Sequence, residues 1–275
     1  MTLDAKLARL RALLGELEAV LVAFSGGVDS TFLLRISHEV LGPRCLALTT
    51  VSPTTPSDDL VEAMTLAARF GAEHLVVDTN ELEIPGYAAN PVNRCYFCKD
   101  NRFVICAAEA QRRGIATVVD GANCDDLGDH RPGLRAAAEQ GVRHPLVEAG
   151  FTKADVRAAS RALGLPTWDR PASPCLSSRF PYGTAITPER LRQVAEAEAV
   201  LRVEGLRELR VRWHEGAVAR IEVSASDMPQ LLARRDAIVA ALRAIGFAYV
   251  TLDLQGFRSG SLNEVLQKHE GPAAS

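Results

Sequence analysis

The sequence predicts an α/β protein, a parallel sheet with helices on both faces, followed by a small C-terminal α+β domain. Three observations carry this reading. Short apolar runs alternate with stretches of helical period through the N-terminal part of the chain. One of those runs, Leu21 to Phe24, turns directly into a helix-like segment through Ser25-Gly-Gly-Val-Asp-Ser30. Four prolines (Pro166, Pro171, Pro174 and Pro181) then crowd a stretch without periodicity, after which the pattern restarts.

In chain order, residues 3–20 place Leu3, Leu7, Leu10, Leu13, Leu14 and Leu17 on one face of an amphipathic helix. Leu21 to Phe24 is the first strand, and a helix runs from Asp29 to Leu41. Cys45 to Val51 reads as a buried second strand, with a helix opening after Thr55 at Pro56. His74 to Asp78 is the third strand, a helix begins near Cys98, and Ala116 to Asp120 is the fourth strand. Thr152 and Asp155 form a capping box at the start of a further helix. In such a sheet ligands gather at the carboxyl ends of the strands, so Ser25 to Ser30, Thr49 to Ser52, Asp78 to Asn80 and Gly121 to Asp126 should line one crevice. The domain boundary is expected near Gly183, dividing the chain into residues 1–183 and 184–275. The second part reads as a helix from Pro188 to about Val203, strands Leu209 to His214 and Ala219 to Val223, a helix from Met228 to Ile245, and a strand Ala248 to Leu254. That layer suits a substrate or oligomerisation domain covering the crevice from one side. The tail Glu270 to Ser275 is expected to fray.

With 275 residues the chain can bury a core without covalent staples. A net charge of −3 gives it no nucleic-acid footprint. The N-terminus has no signal-peptide pattern, and no run approaches the roughly 20 apolar residues that span a bilayer. A cytoplasmic protein with no membrane partner is expected.

The Ser25 to Ser30 stretch reads as a phosphate site. Gly26 and Gly27 let the backbone approach an anion, the helix start supplies N–H groups, and Ser25 and Ser30 add hydroxyls. The Lys of a Walker A loop is missing. The bland alternative is a glycine turn with Asp29 as an N-cap. The pattern Ser-Gly-Gly-x-Asp-Ser resembles the PP-loop of the ATP pyrophosphatases, which split ATP into AMP and pyrophosphate. The turn Gly121-Ala-Asn-Cys-Asp-Asp126 resembles a second motif of those enzymes. The resemblance sets the Asn123 turn beside the nucleotide; Thr49 is expected in the crevice by the strand-end rule, and Lys153 is expected to reach a phosphate from its helix start, an exposed Lys on a solvated face being the commoner outcome. Asp125 and Asp126 suit Mg²⁺, a hard cation, with an Asx-type turn and solvated acids as the alternative.

Cys95, Cys98 and Cys175 are expected in polar, Pro-flanked loops, whereas Cys45 and Cys106 read as buried small hydrophobes. The pair Cys95-Tyr-Phe-Cys98 with Cys175 fits zinc, a 4Fe-4S cluster with one open iron, or a redox disulfide. Zinc lacks an evident fourth ligand, and the count fits the cluster better.

Further motifs narrow the resemblance. Asn90-Pro-Val-Asn-Arg-Cys-Tyr-Phe-Cys-Lys99, Gly121 to Asp129 with Arg131-Pro-Gly133, Pro174-Cys-Leu-Ser-Ser-Arg-Phe-Pro-Tyr-Gly183, Val211-Arg-Trp-His214 and Gly256-Phe-Arg-Ser-Gly-Ser261 together resemble the LarE family. Its members are ATP-dependent sulfur transferases that mature the nickel-pincer nucleotide cofactor of lactate racemase. The resemblance implies that Mg-ATP adenylates a carboxylate of pyridinium biscarboxylic acid mononucleotide and that sulfur then displaces AMP. It implies that Cys175 delivers the sulfur. In one-cysteine members that residue is sacrificed, and in three-cysteine members a 4Fe-4S cluster carries hydrosulfide. It further implies that Arg210 and Arg212, on one strand face, hold the substrate phosphate, that Glu198 and Asp227 lie near family acidic positions, and that the protein is a homo-oligomer, a hexamer in the family. Solvated arginines on an exposed strand remain the plainer reading of the Arg210 and Arg212 pair. Competing functions are tRNA 2-thiolation, which wants a basic face and is disfavoured by the net charge of −3, deazaguanine nitrile synthesis with structural zinc, and a non-catalytic nucleotide sensor.

Overall fold

The computed structural model describes residues 1–127, 132–171, 174–206, 208–258 and 261–264. Gly128 to Arg131 of the expected second motif, Ser259 and Gly260 of the last motif and the tail expected to fray lie outside the described residues. The chain divides into two compact units. One comprises Met1–Tyr87 with Asn93–Ser173, and the other Ala88–Val92 with Pro174–Ser275.

The first unit contains α1 (Leu3–Gly15), β1 (Val20–Ala23), α2 (Val28–Leu41), β2 (Cys45–Val51), α3 (Ser57–Phe70), β3 (Glu73–Asp78), α4 (Arg94–Arg112), β4 (Thr117–Val119), α5 (Pro132–Glu139), α6 (Pro145–Glu148) and α7 (Lys153–Ala162). The four strands are parallel in the order β3-β2-β1-β4, so the expected fold class is borne out. β1 is apolar at every position because both faces of the sheet are covered. Its side chains alternate: Val20 and Val22 pack with Leu10, Phe32, Leu66, Phe151 and Val156, while Leu21 and Ala23 pack with Phe103, Cys106, Ala110 and Ala136 on the opposite face. The strand order steps outward from β1 through β2 to β3 and then returns to the far side of β1 with β4. That reversal puts a switch point, and hence a crevice, between the carboxyl ends of β1 and β4.

Several boundaries differ from expectation. α1 stops at Gly15 rather than running to residue 20, although Leu17 still packs on the same core. α4 starts at Arg94, so Cys95 and Cys98 lie in the first two turns of a 19-residue helix and not in a loop. No capping side chain marks that start, since the N-cap Asn93 makes no side-chain cap bond. Helices α5 and α6 have no counterpart in the expected list.

The second unit holds α8 (Pro188–Val203), β5 (Leu209–His214), β6 (Val218–Val223), α9 (Met228–Ala233), α10 (Arg235–Ala244) and β7 (Tyr249–Leu252). β5 and β6 are antiparallel, and β6 and β7 parallel. The helix expected from Met228 to Ile245 is two helices, because the Arg234 N–H folds back on the carbonyls of Leu231 and Leu232. The unit begins at Pro174, ahead of Gly183, for a visible reason. Asn90 Nδ2 donates to the carbonyls of Phe180 and Pro181 at 3.3 and 2.7 Å, and the N–H groups of Gly183 and Ile186 bond to Asn90 and Ala88. Among the described residues no helix is long and apolar enough to cross a membrane.

Candidate active site

The Ser25 to Ser30 turn closes on itself. Ser25 Oγ and Ser30 Oγ are 3.1 Å apart, Ser30 Oγ donates to the Gly27 carbonyl at 3.3 Å, and Gly27 N–H reaches Ser25 Oγ at 3.4 Å. Gly26 has φ of 71°, and a Cβ there would sit 3.2 Å from Ala63 of α3, so the position requires glycine on two counts. Arg170 braces the turn from outside, donating to the Gly26 carbonyl at 3.0 Å while pairing with Asp59 and Glu62 at 2.7 and 2.6 Å. The N-cap of α2 is Gly27, and Asp29 lies inside the first helical turn, which removes the reading of Asp29 as a capping residue.

Asp29 faces the neighbouring strand end. One carboxylate oxygen accepts from Asn123 Nδ2 at 3.3 Å, and the other is ion-paired with Lys153 Nζ. Asn123 heads a capped turn in which its Oδ1 accepts from Asp125 N–H at 3.0 Å and Asp126 returns an oxygen to the Asn123 N–H at 2.9 Å. Asp125 also accepts the Lys153 backbone N–H at 2.9 Å. Gly121 makes this approach possible: a Cβ there would lie 2.8 Å from the Ser30 nitrogen.

These segments line a cavity of about 450 Å³, walled by Ser25, Gly27, Asp29, Ser30, Asn123, Asp125, Asp126 and Lys153. Lys99, Arg102, Phe103 and Leu134 also line it, with Ala23 and Asp120 to Ala122. Lys99 and Arg102 escaped the sequence reading. The available signal was their spacing, since with Cys95 they stand at i, i+4 and i+7 once α4 is known to begin at Arg94. Thr49 does not line the cavity. It is buried, its hydroxyl donates to the Phe24 carbonyl at 2.8 Å, and it meets His74 Nε2 at 2.8 Å. Burial lowers the His74 pKa, favouring the neutral ring.

Carboxylates suit magnesium by their hard oxygens. Among the described residues, however, no group of three or more His, Cys, Asp and Glu side chains is placed to hold a metal ion. Cys95 and Cys98 belong to one unit and Cys175 to the other. The described residues offer no support for the expected 4Fe-4S cluster held by the three thiols. Cys45 and Cys106 are fully buried, as expected, and burial pushes both thiols up to about 12.

In the second unit Cys175 precedes the short turn Leu176–Arg179, and its carbonyl accepts from Ser178 N–H and Oγ at 3.0 and 2.8 Å. Two buried arginines anchor this turn. Arg179 forms a two-point pair with Glu198 at 2.7 and 3.0 Å. Arg212 does the same with Glu222 at 2.9 and 3.0 Å, and also donates to the Ser178 carbonyl at 2.6 Å and to Ser261 Oγ at 2.9 Å. Glu198 is thereby assigned an anchoring position, and Asp227 is the N-cap residue of α9.

Arg210 is different. It is only 5% exposed, stacks on Phe257 at 4.4 Å, and makes one long bond to the Arg258 carbonyl at 3.4 Å. Among the described residues it has no carboxylate partner within salt-bridge distance. Burial first, and then the charges of Arg212 and Arg179, hold its pKa down at about 10. Neither arginine is a solvated surface residue, and the two are not equivalent: Arg212 is paired with Glu222, while Arg210 has no such pair among the described residues.

The parallel sheet with a glycine-turn phosphate cradle at its switch point defines a PP-loop enzyme that uses ATP. Residues 10–90 match the NAD synthase family. The chain is 47% identical over 268 residues to an uncharacterized protein of Synechocystis, covering 97% of this chain and 100% of that one. It is 40% identical over 268 residues to the pyridinium-3,5-bisthiocarboxylic acid mononucleotide synthase of Lactiplantibacillus plantarum, covering 97% of each. A tRNA-specific 2-thiouridylase of Azorhizobium caulinodans is 29% identical over 229 residues, 68% of this chain and 57% of that protein. The chain belongs to the LarE family of ATP-dependent sulfurtransferases.

Proposed function

We propose that the protein adenylates a carboxylate of pyridinium biscarboxylic acid mononucleotide with Mg-ATP and exchanges the AMP for sulfur to give a thiocarboxylate. The observation that carries this is Arg210, a buried cation with no carboxylate partner among the described residues, in the same unit as the Cys175 turn and beside the arginine that anchors it. A phosphate monoester on the substrate supplies the missing anion, and a guanidinium accepts it through its fork of donors. In the other unit the loop N–H groups, Ser25, Ser30 and Lys153 face the polyphosphate. A carboxylate oxygen attacks the α-phosphorus and pyrophosphate leaves; the attack of sulfur on the acyl carbon then expels AMP. Fixed donors around the departing pyrophosphate act where charge develops.

Cys175 hands over the sulfur in this reading. Magnesium enters with ATP, and Asp29, Asp125 and Asp126 are the cavity carboxylates that face it. A cytoplasmic homo-oligomer, a hexamer by family resemblance, completes the proposal. The test is to mix the protein with Mg-ATP and the mononucleotide and to follow AMP and pyrophosphate. Release that depends on the mononucleotide supports the assignment. Release that is indifferent to it, or supported equally by tRNA, refutes it.

A further inference from the structure

Gly26 and Gly27 share a peptide plane in the phosphate cradle. A trans peptide holds its C=O and N–H antiparallel, so the direction of the Gly26 carbonyl decides where the Gly27 N–H points. That carbonyl faces outward and accepts from Arg170 Nη1 at 3.0 Å. The Gly27 N–H is correspondingly turned to Ser25 Oγ at 3.4 Å, on the cavity wall that Ser25, Gly27 and Ser30 form. Rotating the plane by half a turn would present a carbonyl oxygen to a bound anion instead. The turn itself does little to oppose that rotation, which changes ψ of Gly26 and φ of Gly27, because glycine at both positions leaves either sign of φ open. Gly26 already stands at a φ of 71°.

Arg170 opposes it, and the guanidinium is itself held from two directions. Asp59 and Glu62 of α3 pair with it at 2.7 and 2.6 Å. Helix α7 fixes the segment that carries it: Arg157 donates to the carbonyls of Trp168 and Arg170, both at 2.8 Å, and Arg161, one turn further on, stacks over the Trp168 ring at 4.8 Å. The same helix opens with Lys153, which lines the cavity. With two carboxylates beside it Arg170 has no net charge to offer a polyphosphate, and it does not line the cavity. Its effect on a ligand passes through the peptide it holds.

We propose that Arg170 is a positioning residue that sets the Gly26–Gly27 peptide with its N–H turned into the cradle, and so determines affinity for the pyrophosphate part of ATP without touching it. This rests on the reading of the crevice as the ATP site. The effect belongs to one end of the nucleotide. Pyrophosphate oxygens need the aimed N–H, whereas the adenosine end makes no use of it, so AMP binding is independent of Arg170.

The test is calorimetric titration of the full chain with ATP, pyrophosphate and AMP, each with magnesium. Arg170→Met keeps the length and apolar stem of the side chain but donates nothing to the Gly26 carbonyl. It should lose affinity for ATP and for pyrophosphate by about tenfold to a hundredfold, the worth of one hydrogen bond to a charged group, with AMP affinity unchanged. Arg170→Lys, which retains a charged donor, should recover part of that loss. Urea unfolding checks the fold of each variant. Should Arg170→Met fail to fold, Asp59→Asn, which loosens the guanidinium and leaves the Gly26 carbonyl in place, should show the same selective loss to a smaller degree. Unchanged pyrophosphate affinity in the folded variants, or equal losses for pyrophosphate and AMP, overturns the proposal. Wild type that binds ATP while the variants bind it equally well overturns this inference alone, whereas wild type that binds no ATP overturns the reading of the crevice with it.

Discussion

Asp29, in the first turn of α2, is ion-paired with Lys153, the first residue of α7, across the mouth of the β1–β4 crevice. The pair joins two helix starts, and Asn123 ties the loop after β4 to the same carboxylate at 3.3 Å. Replacing Asp29 by Ala disorders the donors around the polyphosphate, and Ser30→Ala removes one of them. We expect each to lower pyrophosphate release by about 10²–10³-fold with an unchanged circular dichroism spectrum. A folded Asp29→Ala protein with wild-type turnover contradicts the nucleotide assignment.

Gly121→Ala places a methyl group 2.8 Å from the Ser30 nitrogen. Backbone has to move on one side or the other, at a cost of about 1–3 kcal/mol. Denaturant titration should show that loss, and ATP affinity should fall with it, because the displaced atoms form the phosphate cradle.

Arg210 and Arg212 should separate cleanly. Removing Arg210 deletes a buried cation that repels its neighbours, so Arg210→Ala should retain stability while mononucleotide binding weakens by about 1.5–3 kcal/mol. Arg212→Ala takes the two-point partner from buried Glu222 and should destabilise the fold by about 3–5 kcal/mol. Calorimetry for binding and urea unfolding for stability distinguish the two. Equal behaviour of the variants in both measurements contradicts the division of roles.

His144 Nδ1 lies 2.6 Å from Asp120 Oδ1 at the end of β4. The hydrogen bond to Asp120 raises the His144 pKa above its unfolded value. The pair therefore contributes stability that is complete below about pH 6.5 and is lost as pH rises through the higher folded value. The destabilisation caused by His144→Gln should be largest in mildly acidic buffer and shrink towards pH 9. A constant difference across that range rules out the linkage.

The strand pattern and the PP-loop were legible because both are local. Cys45 to Val51 and Leu209 to His214 were read with their observed bounds from apolar runs and flanking turns. The start of α4 was not, since Asn93 offers no capping bond, and that one boundary put Cys95 and Cys98 in a supposed loop. Thr49 stood at the right end of the right strand, yet its hydroxyl is spent on Phe24. Arg170 could not be found from sequence, because its contact with the Gly26 carbonyl is one that only the fold creates. The difference between Arg210 and Arg212 likewise arises from Glu222, which stands opposite Arg210 in the strand register but bonds diagonally to Arg212.

The most direct test of the sulfurtransferase reading is a single-turnover reaction with Mg-ATP and pyridinium biscarboxylic acid mononucleotide, comparing wild type with Cys175→Ser by mass spectrometry of the small molecule. Wild type should convert the mononucleotide to a product heavier by the difference between sulfur and oxygen, with AMP and pyrophosphate in equal amounts. The variant should still form AMP but no sulfur-containing product. A wild-type yield of thiocarboxylate from Cys175→Ser, or AMP from wild type without any change in the mononucleotide's mass, would contradict it.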